Sequence, residues 1–298
     1  MYILTHVMFP VIGVFALGYV LQKFGKLQIA SISKMTTYIF VPMLVLKGIS
    51  TAELGEELRQ MGLFSIILLL MLFFIGKVYS FLFKLSSNEE SSNLLTTVFL
   101  NAGNYGAPIV LFAYGEEGFK YALMLLVIHQ IINYTLGVYI AASGKHGFLD
   151  TLRSISKIPV IYAVIMGILL NRKIVILPTP LESIMELLAG AAIPLIMILL
   201  GMQLAQIELK SIKWKANMYG VITRNFLSPL IAWGIVSFLG IEGLVAKILI
   251  LIAAMPSAAS IAIYAVQFDN NSETVSSITL MTTLLSIVTI PILLYILG

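Results

Sequence analysis

The chain has 298 residues, 59% of them hydrophobic and only 11% charged, with a formal net charge of +4. A soluble domain carries about 25% charged residues, so this composition excludes an ordinary globular protein and specifies a polytopic membrane protein. The absence of cysteine removes disulfides, thiolate chemistry and cysteine metal sites, and the scattered basic residues form no nucleic-acid-binding face.

Residues 1–21 lack a basic leader and a small-residue cleavage motif, so they read as a first span rather than a signal peptide. Apolar runs long enough to cross a bilayer fall near 3–22, 33–50, 61–83, 93–114, 119–142, 157–171, 182–205, 215–239, 245–266 and 274–297. That predicts ten spans and an all-α protein. The second run carries Pro42 and Lys47, and the sixth is short. Polar gaps are too brief to hold a soluble domain.

Loop basic residues set the orientation. Lys23, Lys26, Lys34, Lys77, Lys84, Lys145, Arg153, Lys157, Lys210, Lys213 and Lys215 fall on one side. Lys47, Arg59, Lys120, Arg172, Lys173 and Lys247 fall on the other. The richer side is expected in the cytoplasm of a plasma-membrane protein, with both termini outside.

The fourth run is interrupted by Asn101-Ala-Gly103-Asn104-Tyr105-Gly106-Ala-Pro108. Pro108 removes a backbone donor, and the glycines lower helix propensity. Irregular backbone inside a bilayer is tolerated only where protein or a water-filled cavity surrounds it. A broken helix of this kind is how many secondary transporters build a substrate site.

The halves repeat. Pro10-Val-Ile with Gly18 recurs 149 residues later as Pro159-Val-Ile with Gly167. At an offset of 152, Pro42 meets Pro194, and 101–108 falls on 253–260, Ala-Ala-Met-Pro256-Ser257-Ala-Ala-Ser260. The ninth run is therefore expected to break where the fourth does. The domains predicted are a first five-helix repeat at 1–142, a short cytoplasmic link at 143–158 and a second repeat at 159–298. Five is odd, so the repeats are inverted relative to one another.

The Asn-Ala-Gly-Asn-Tyr-Gly-x-Pro break, the stretch from Ile193-Pro194 to Gly201-Met-x-Leu204 and the closing Ser286 to Pro291 span resemble the auxin efflux carrier family. That family includes the plant PIN auxin exporters and many bacterial members. The resemblance covers essentially the whole chain. It implies ten spans in two inverted five-span repeats, with spans four and nine crossing near their breaks. It also implies a homodimer in which spans one, two, six and seven form the scaffold. Spans three to five and eight to ten would then move small organic anions by elevator-like alternating access. The second break departs from the plant pattern, because no asparagine or second proline accompanies Pro256.

Half-helix N-termini at two opposed breaks present N–H groups and partial positive charge, suited to a carboxylate. Asn101 and Asn104 offer amides to a ligand, and Tyr105 could gate or stack. Pro108 and Pro256, with Gly103 and Gly106, are expected to hold the breaks open, with Ser257 and Ser260 as further contacts. In span five, Gln130, Asn133 and Tyr134 share one helical face, a polar stripe expected to line the site. His129 and Glu186 are the candidates for ion coupling. Arg224 is expected to balance Glu186 or to bind headgroup phosphate.

No metal-ligand spacing, phosphate-cradling loop or nucleophile elbow occurs, so neither enzyme activity, cofactor nor metal is expected. The reading is a secondary transporter, an exporter of small organic anions such as carboxylates or auxin-like acids, with membrane lipid around it. The alternatives are sodium- or proton-coupled organic acid transport and a non-transporting membrane sensor.

Overall fold

The computed structural model describes residues 3–51, 55–141, 159–206, 214–268 and 270–298. Across them the chain is helical, and the only extended pairing is one isolated antiparallel bridge. The helices are α1 (Thr5–Gly25), α2 (Ile29–Ser50), α3 (Glu56–Leu82) and α4 (Ser87–Val98). Gly115, at φ 66°, divides the stretch Ala102–Ala141 into α5 (102–114) and α6 (116–141). Then follow α7 (Pro159–Asn171), α8 (Thr179–Leu204), α9 (Asn217–Leu239), α10 (Gly243–Ala253), α11 (Ser260–Gln267) and α12 (Ser272–Leu297).

Seven stretches are long and apolar enough to cross a membrane, fewer than the ten runs expected. The difference lies in the short helices: α4, α7, α10 and α11 do not qualify alone, and α5 and α6 count as one stretch. The fourth run was expected from 93, but its helix begins at Ser87. Ser86 and Glu89 form a reciprocal capping box, which starts the helix in a polar segment that hydropathy passes over. The expected link at 143–158 lies outside the described residues, as do Lys145, Arg153, Lys157, Lys210 and Lys213.

Prolines shape the helices in a repeated way. A π-helical turn immediately precedes the pairs Phe9-Pro10, Val41-Pro42, Ala107-Pro108 and Ser228-Pro229. Proline cannot donate to the carbonyl four residues back and its ring crowds that carbonyl, so a wider turn relieves both conflicts.

The most extensive helix packing pairs α1 with α8 and α2 with α7. A Cβ on Gly18 would lie 2.1 Å from the Ile198 carbonyl oxygen, and one on Gly167 would lie 2.9 Å from Ile49 Cβ. The Gly167 Cβ would also lie 3.3 Å from the Leu46 carbonyl oxygen. Gly167 follows Gly18 by 149 residues and Ile198 follows Leu46 by 152, the offsets at which these segments repeat. One close approach is thus the counterpart of the other with the halves exchanged. Asn171, ending α7, donates to the carbonyls of Ile49 and Ser50 at 3.0 and 3.2 Å, closing the end of α2. Outward faces carry large apolar side chains such as Phe24, Phe81, Leu187 and Phe238. Such faces suit hydrocarbon rather than water.

Candidate functional site

Two breaks meet at the centre of the bundle. Residues 99–101, between α4 and α5, run antiparallel to residues 256–258, between α10 and α11, with Leu100 opposite Ser257. The Asn101 N–H donates to the Pro256 carbonyl at 2.9 Å, and the Ala258 N–H donates to Phe99 at 3.0 Å. This exchange satisfies backbone groups that helix would otherwise have used. Four helix ends converge here: the C-termini of α4 and α10 and the N-termini of α5 and α11.

The C-terminal ends are closed by Arg224. Its side chain is fully buried, on a π-helical turn of α9. One guanidinium nitrogen donates to the Thr97 carbonyl at 2.7 Å, another to Ala253 at 2.6 Å, and Nε to Met255 at 3.3 Å. Ser228 adds a second donor to Ala253 at 2.7 Å. The expectation that Arg224 balances Glu186 or meets headgroup phosphate is corrected: its partners are the carbonyls of two half-helices. Glu186 itself lies on the exposed face of α8. Ser257 is also on this closed side, donating through its hydroxyl to the Thr96 carbonyl at 2.6 Å. Tyr105 is buried, its ring 5.4 Å from that of Phe15 and its hydroxyl accepting from Ser286 at 2.7 Å.

The N-terminal ends open instead onto a cavity of about 270 Å³. Asn101, Gly103 and Asn104 line it from the first break, and Ala259 and Ser260 from the second. His129, Gln130 and Asn133 enter from α6, Ser33, Thr36 and Thr37 from α2, and Gln203 from α8. His129 and Asn133 are each only 5% exposed, yet His129 Nε2 and Asn133 Oδ1 have no hydrogen-bond partner, and neither has Gln203 Oε1. Other buried polar atoms, such as Ser65 Oγ and Asn225 Oδ1, also lack a partner, so it is the cavity beside these three that lets a ligand or water reach them. Ser33, Asn101, Gln203 and Ala259 also line a larger recess of about 880 Å³, whose wall includes Lys34 and Glu273.

Of the residues picked out in the sequence, Asn101, Gly103, Asn104, His129, Gln130, Asn133 and Ser260 therefore share one cavity. Tyr105, Gly106, Pro108, Pro256, Ser257 and Glu186 do not line it. Gly106 instead packs against Ile252 and Met255, and Pro108 begins the regular part of α5. The side chain of Tyr134 lies outside those described. Sequence reasoning missed Ser33, Thr36, Thr37 and Gln203. The first three sit at i, i+3 and i+4, the spacing of one helical face, and that polar stripe was the available signal.

No charged side chain lines the smaller cavity, and no metal-holding cluster occurs among the described residues. Amide and hydroxyl groups beside two helix N-termini can bind a small anion.

The chain matches the family model described as "Membrane transport protein" twice, over residues 3–151 and 148–294. It is 28% identical to an uncharacterized transporter of Methanothermobacter thermautotrophicus, over 97% of this chain and 96% of the relative. An uncharacterized transporter of Methanocaldococcus jannaschii is 25% identical, over 92% of each chain. A Rhizobium meliloti protein described as "Putative malonate transporter" is 24% identical, over 98% of this chain and 95% of the relative. With both halves matched, the chain belongs to this membrane transport family, the auxin efflux carrier-like family.

Proposed function

We propose that this protein is a secondary transporter of small organic anions, with carboxylates as the substrate class, that binds its substrate between the two breaks. The observation that carries the reading is the pair of N-terminal helix ends opening onto one cavity, where backbone N–H groups and the amide NH2 groups of Asn101, Asn104, Gln130 and Asn133 can donate to an anion. Asn101, Asn104, Gln130, Asn133 and Ser260 are the contacts, with Gln203 and the hydroxyls of α2 on the facing wall. The relative described as a malonate transporter supports the same chemical class.

In this reading the chain forms ten spans in two inverted repeats in the plasma membrane, both termini outside, and works as a homodimer. The exchanged contacts of Gly18 and Gly167, and the separate matching of each half, support the repeat. The α1–α8 and α2–α7 pairs are the scaffold, and the remaining helices carry the site across as an elevator. Export is the direction favoured by an inside-negative potential, which drives an anion outward with about 2.3 kcal/mol per charge per 100 mV.

Thermal unfolding of the purified protein against a panel of small mono- and dicarboxylates tests this, because a ligand that binds only the folded state raises the melting temperature. A shift with malonate or a similar acid, lost in Asn101→Ala and Asn133→Ala, is expected. No shift with any carboxylate overturns the substrate class.

A second reading has its own observation: His129 lines the cavity with Nε2 unpartnered, so it could exchange a proton with a bound acid. Proton-coupled transport then requires that His129→Gln abolish a pH dependence of uptake into liposomes seen in the unaltered protein.

A further inference from the structure

The geometry points to Arg224 as a resident cation: its guanidinium occupies a carbonyl-lined cation site at the helix crossing and does there what a bound monovalent ion would otherwise do. The site is defined by its oxygens. Thr97 and Ala253 lie at the C-terminal ends of α4 and α10, Met255 follows in the second break, and the Ser228 hydroxyl completes the set. C-terminal helix ends carry partial negative charge, and in transporters with discontinuous helices such ends and unwound carbonyls hold the coupling ion. Two such ends facing each other need a positive charge between them.

Arg224 supplies that charge permanently, since a guanidinium stays protonated and presents five donors in a rigid fork. The side chain is fully buried, and no carboxylate pairs with it among the salt bridges of the described residues. Its hydrogen bonds go to main-chain carbonyls and one hydroxyl, the ligand types of an ion cage rather than those of an ion pair. One nitrogen reaches the first break and another the second, so Arg224 is a positioning residue that fixes the crossing and, through it, the N-terminal ends of α5 and α11.

The consequence deepens the proposed function and rests on it in part: with the cation built in, anion binding requires no sodium. The proposal also stands alone, because removing the guanidinium should leave an empty cage for a small cation. The experiment compares the melting temperature of the full-length protein with Arg224→Ala, each in sodium, potassium, N-methylglucamine and millimolar guanidinium chloride, first without any anion. Arg224→Ala is expected to melt at least 5 °C lower in N-methylglucamine and to regain part of the loss in sodium or guanidinium, with the unaltered protein indifferent to the choice. A second variant, Arg224→Lys, keeps the charge and should be less destabilised than Arg224→Ala and little changed by sodium.

Malonate is then added to the unaltered protein. A stabilising shift equal in sodium and in N-methylglucamine is expected, and a shift that requires sodium overturns the inference. If Arg224→Ala gains nothing from either cation, or gains no more than the unaltered protein, the cage is not a cation site. Should Arg224→Ala fail to fold, Arg224→Lys decides: equal sodium-dependent stabilisation of the lysine and unaltered proteins overturns the inference, and its absence from both upholds it. Failure of malonate alone to bind, with cation rescue of Arg224→Ala intact, counts against the substrate class and leaves the resident cation supported.

Discussion

The two sides of the helix crossing are built from the same backbone break and differ in how their polar groups end up. On the side of the α4 and α10 C-termini, the helix-end carbonyls are bonded: Arg224 and Ser228 satisfy Thr97, Ala253 and Met255, and Ser257 satisfies Thr96. On the side of the N-termini, His129 Nε2, Asn133 Oδ1 and Gln203 Oε1 remain unpartnered around a cavity. A buried unsatisfied polar group costs about 1–3 kcal/mol unless water or a ligand meets it, and these three face a cavity that can hold either. The first side is the part that holds the crossing together. The second is the part to which the proposed function assigns the ligand.

The sharpest break of this contrast is Arg224→Met. It retains much of the side-chain bulk but leaves the carbonyls of Thr97, Ala253 and Met255 without that donor, at about 1–3 kcal/mol for each that water cannot reach. The expected result is a large fall in melting temperature, or loss of folded protein, with or without added carboxylate. A variant that melts like the unaltered protein would show that the closed side does not depend on its guanidinium.

The opposite test is Asn133→Leu. Removing an unpartnered buried oxygen is expected to leave stability unchanged or raise it by about 1 kcal/mol, as substitutions at functional sites can do. Anion affinity should nevertheless fall roughly tenfold, because leucine also removes the Asn133 Nδ2 group, the donor available to a carboxylate. Titration of both proteins with malonate, followed by thermal shift, reads the two effects separately. A fall in stability with unchanged affinity would move Asn133 to the structural side.

How far the sequence shows this division depends on the kind of residue. Asn101, Asn104 and Pro108 are visible because polar and helix-breaking residues stand out in an apolar run, and the second break at Pro256 follows from the repeat. Asn133 is visible from its helical face, but its unpartnered oxygen is not, because satisfaction depends on neighbours from other helices. Arg224 shows the limit most clearly. A lone arginine in an apolar segment reads as seeking a carboxylate or phosphate, whereas its partners are carbonyls up to 127 residues away in sequence. Main-chain oxygens carry no residue label, so no sequence pattern announces them. Tyr105 looked like a gate for a related reason: its neighbours Phe15 and Ser286 come from opposite ends of the chain. The start of α4 was readable but overlooked, since Ser86 and Glu89 stand at capping-box spacing ahead of the apolar run.

Substituting alanine at Pro108 tests how the break itself supports the open side. The π-helical turn before Ala107-Pro108 has a local cause in the missing donor and the ring, so alanine permits an ordinary turn there. The expected outcome is a helix regularised ahead of 107, with Asn104 turned relative to the cavity and anion transport in liposomes slowed several-fold. Stability should change little, because the pairing of Asn101 with Pro256 does not use Pro108.

The smallest effects come from two serines three residues apart in the second break. Ser257 is fully buried and bonded to Thr96, whereas Ser260 is half-buried and lines the cavity. Ser257→Ala should lower stability by about 1 kcal/mol, the typical net worth of one hydrogen bond, and leave anion affinity unaltered. Ser260→Ala should leave the melting temperature in place and weaken anion binding about two- to fivefold, less than Asn133→Leu because water can replace part of the contact at this half-buried hydroxyl. Because the two substitutions are chemically identical and three residues apart, differences in membrane insertion largely cancel between them. What remains is the side of the crossing on which each hydroxyl ends. If both variants lose stability and neither loses affinity, Ser260 belongs with the closed side, and the binding surface narrows to Asn101, Asn104 and the polar face of α6.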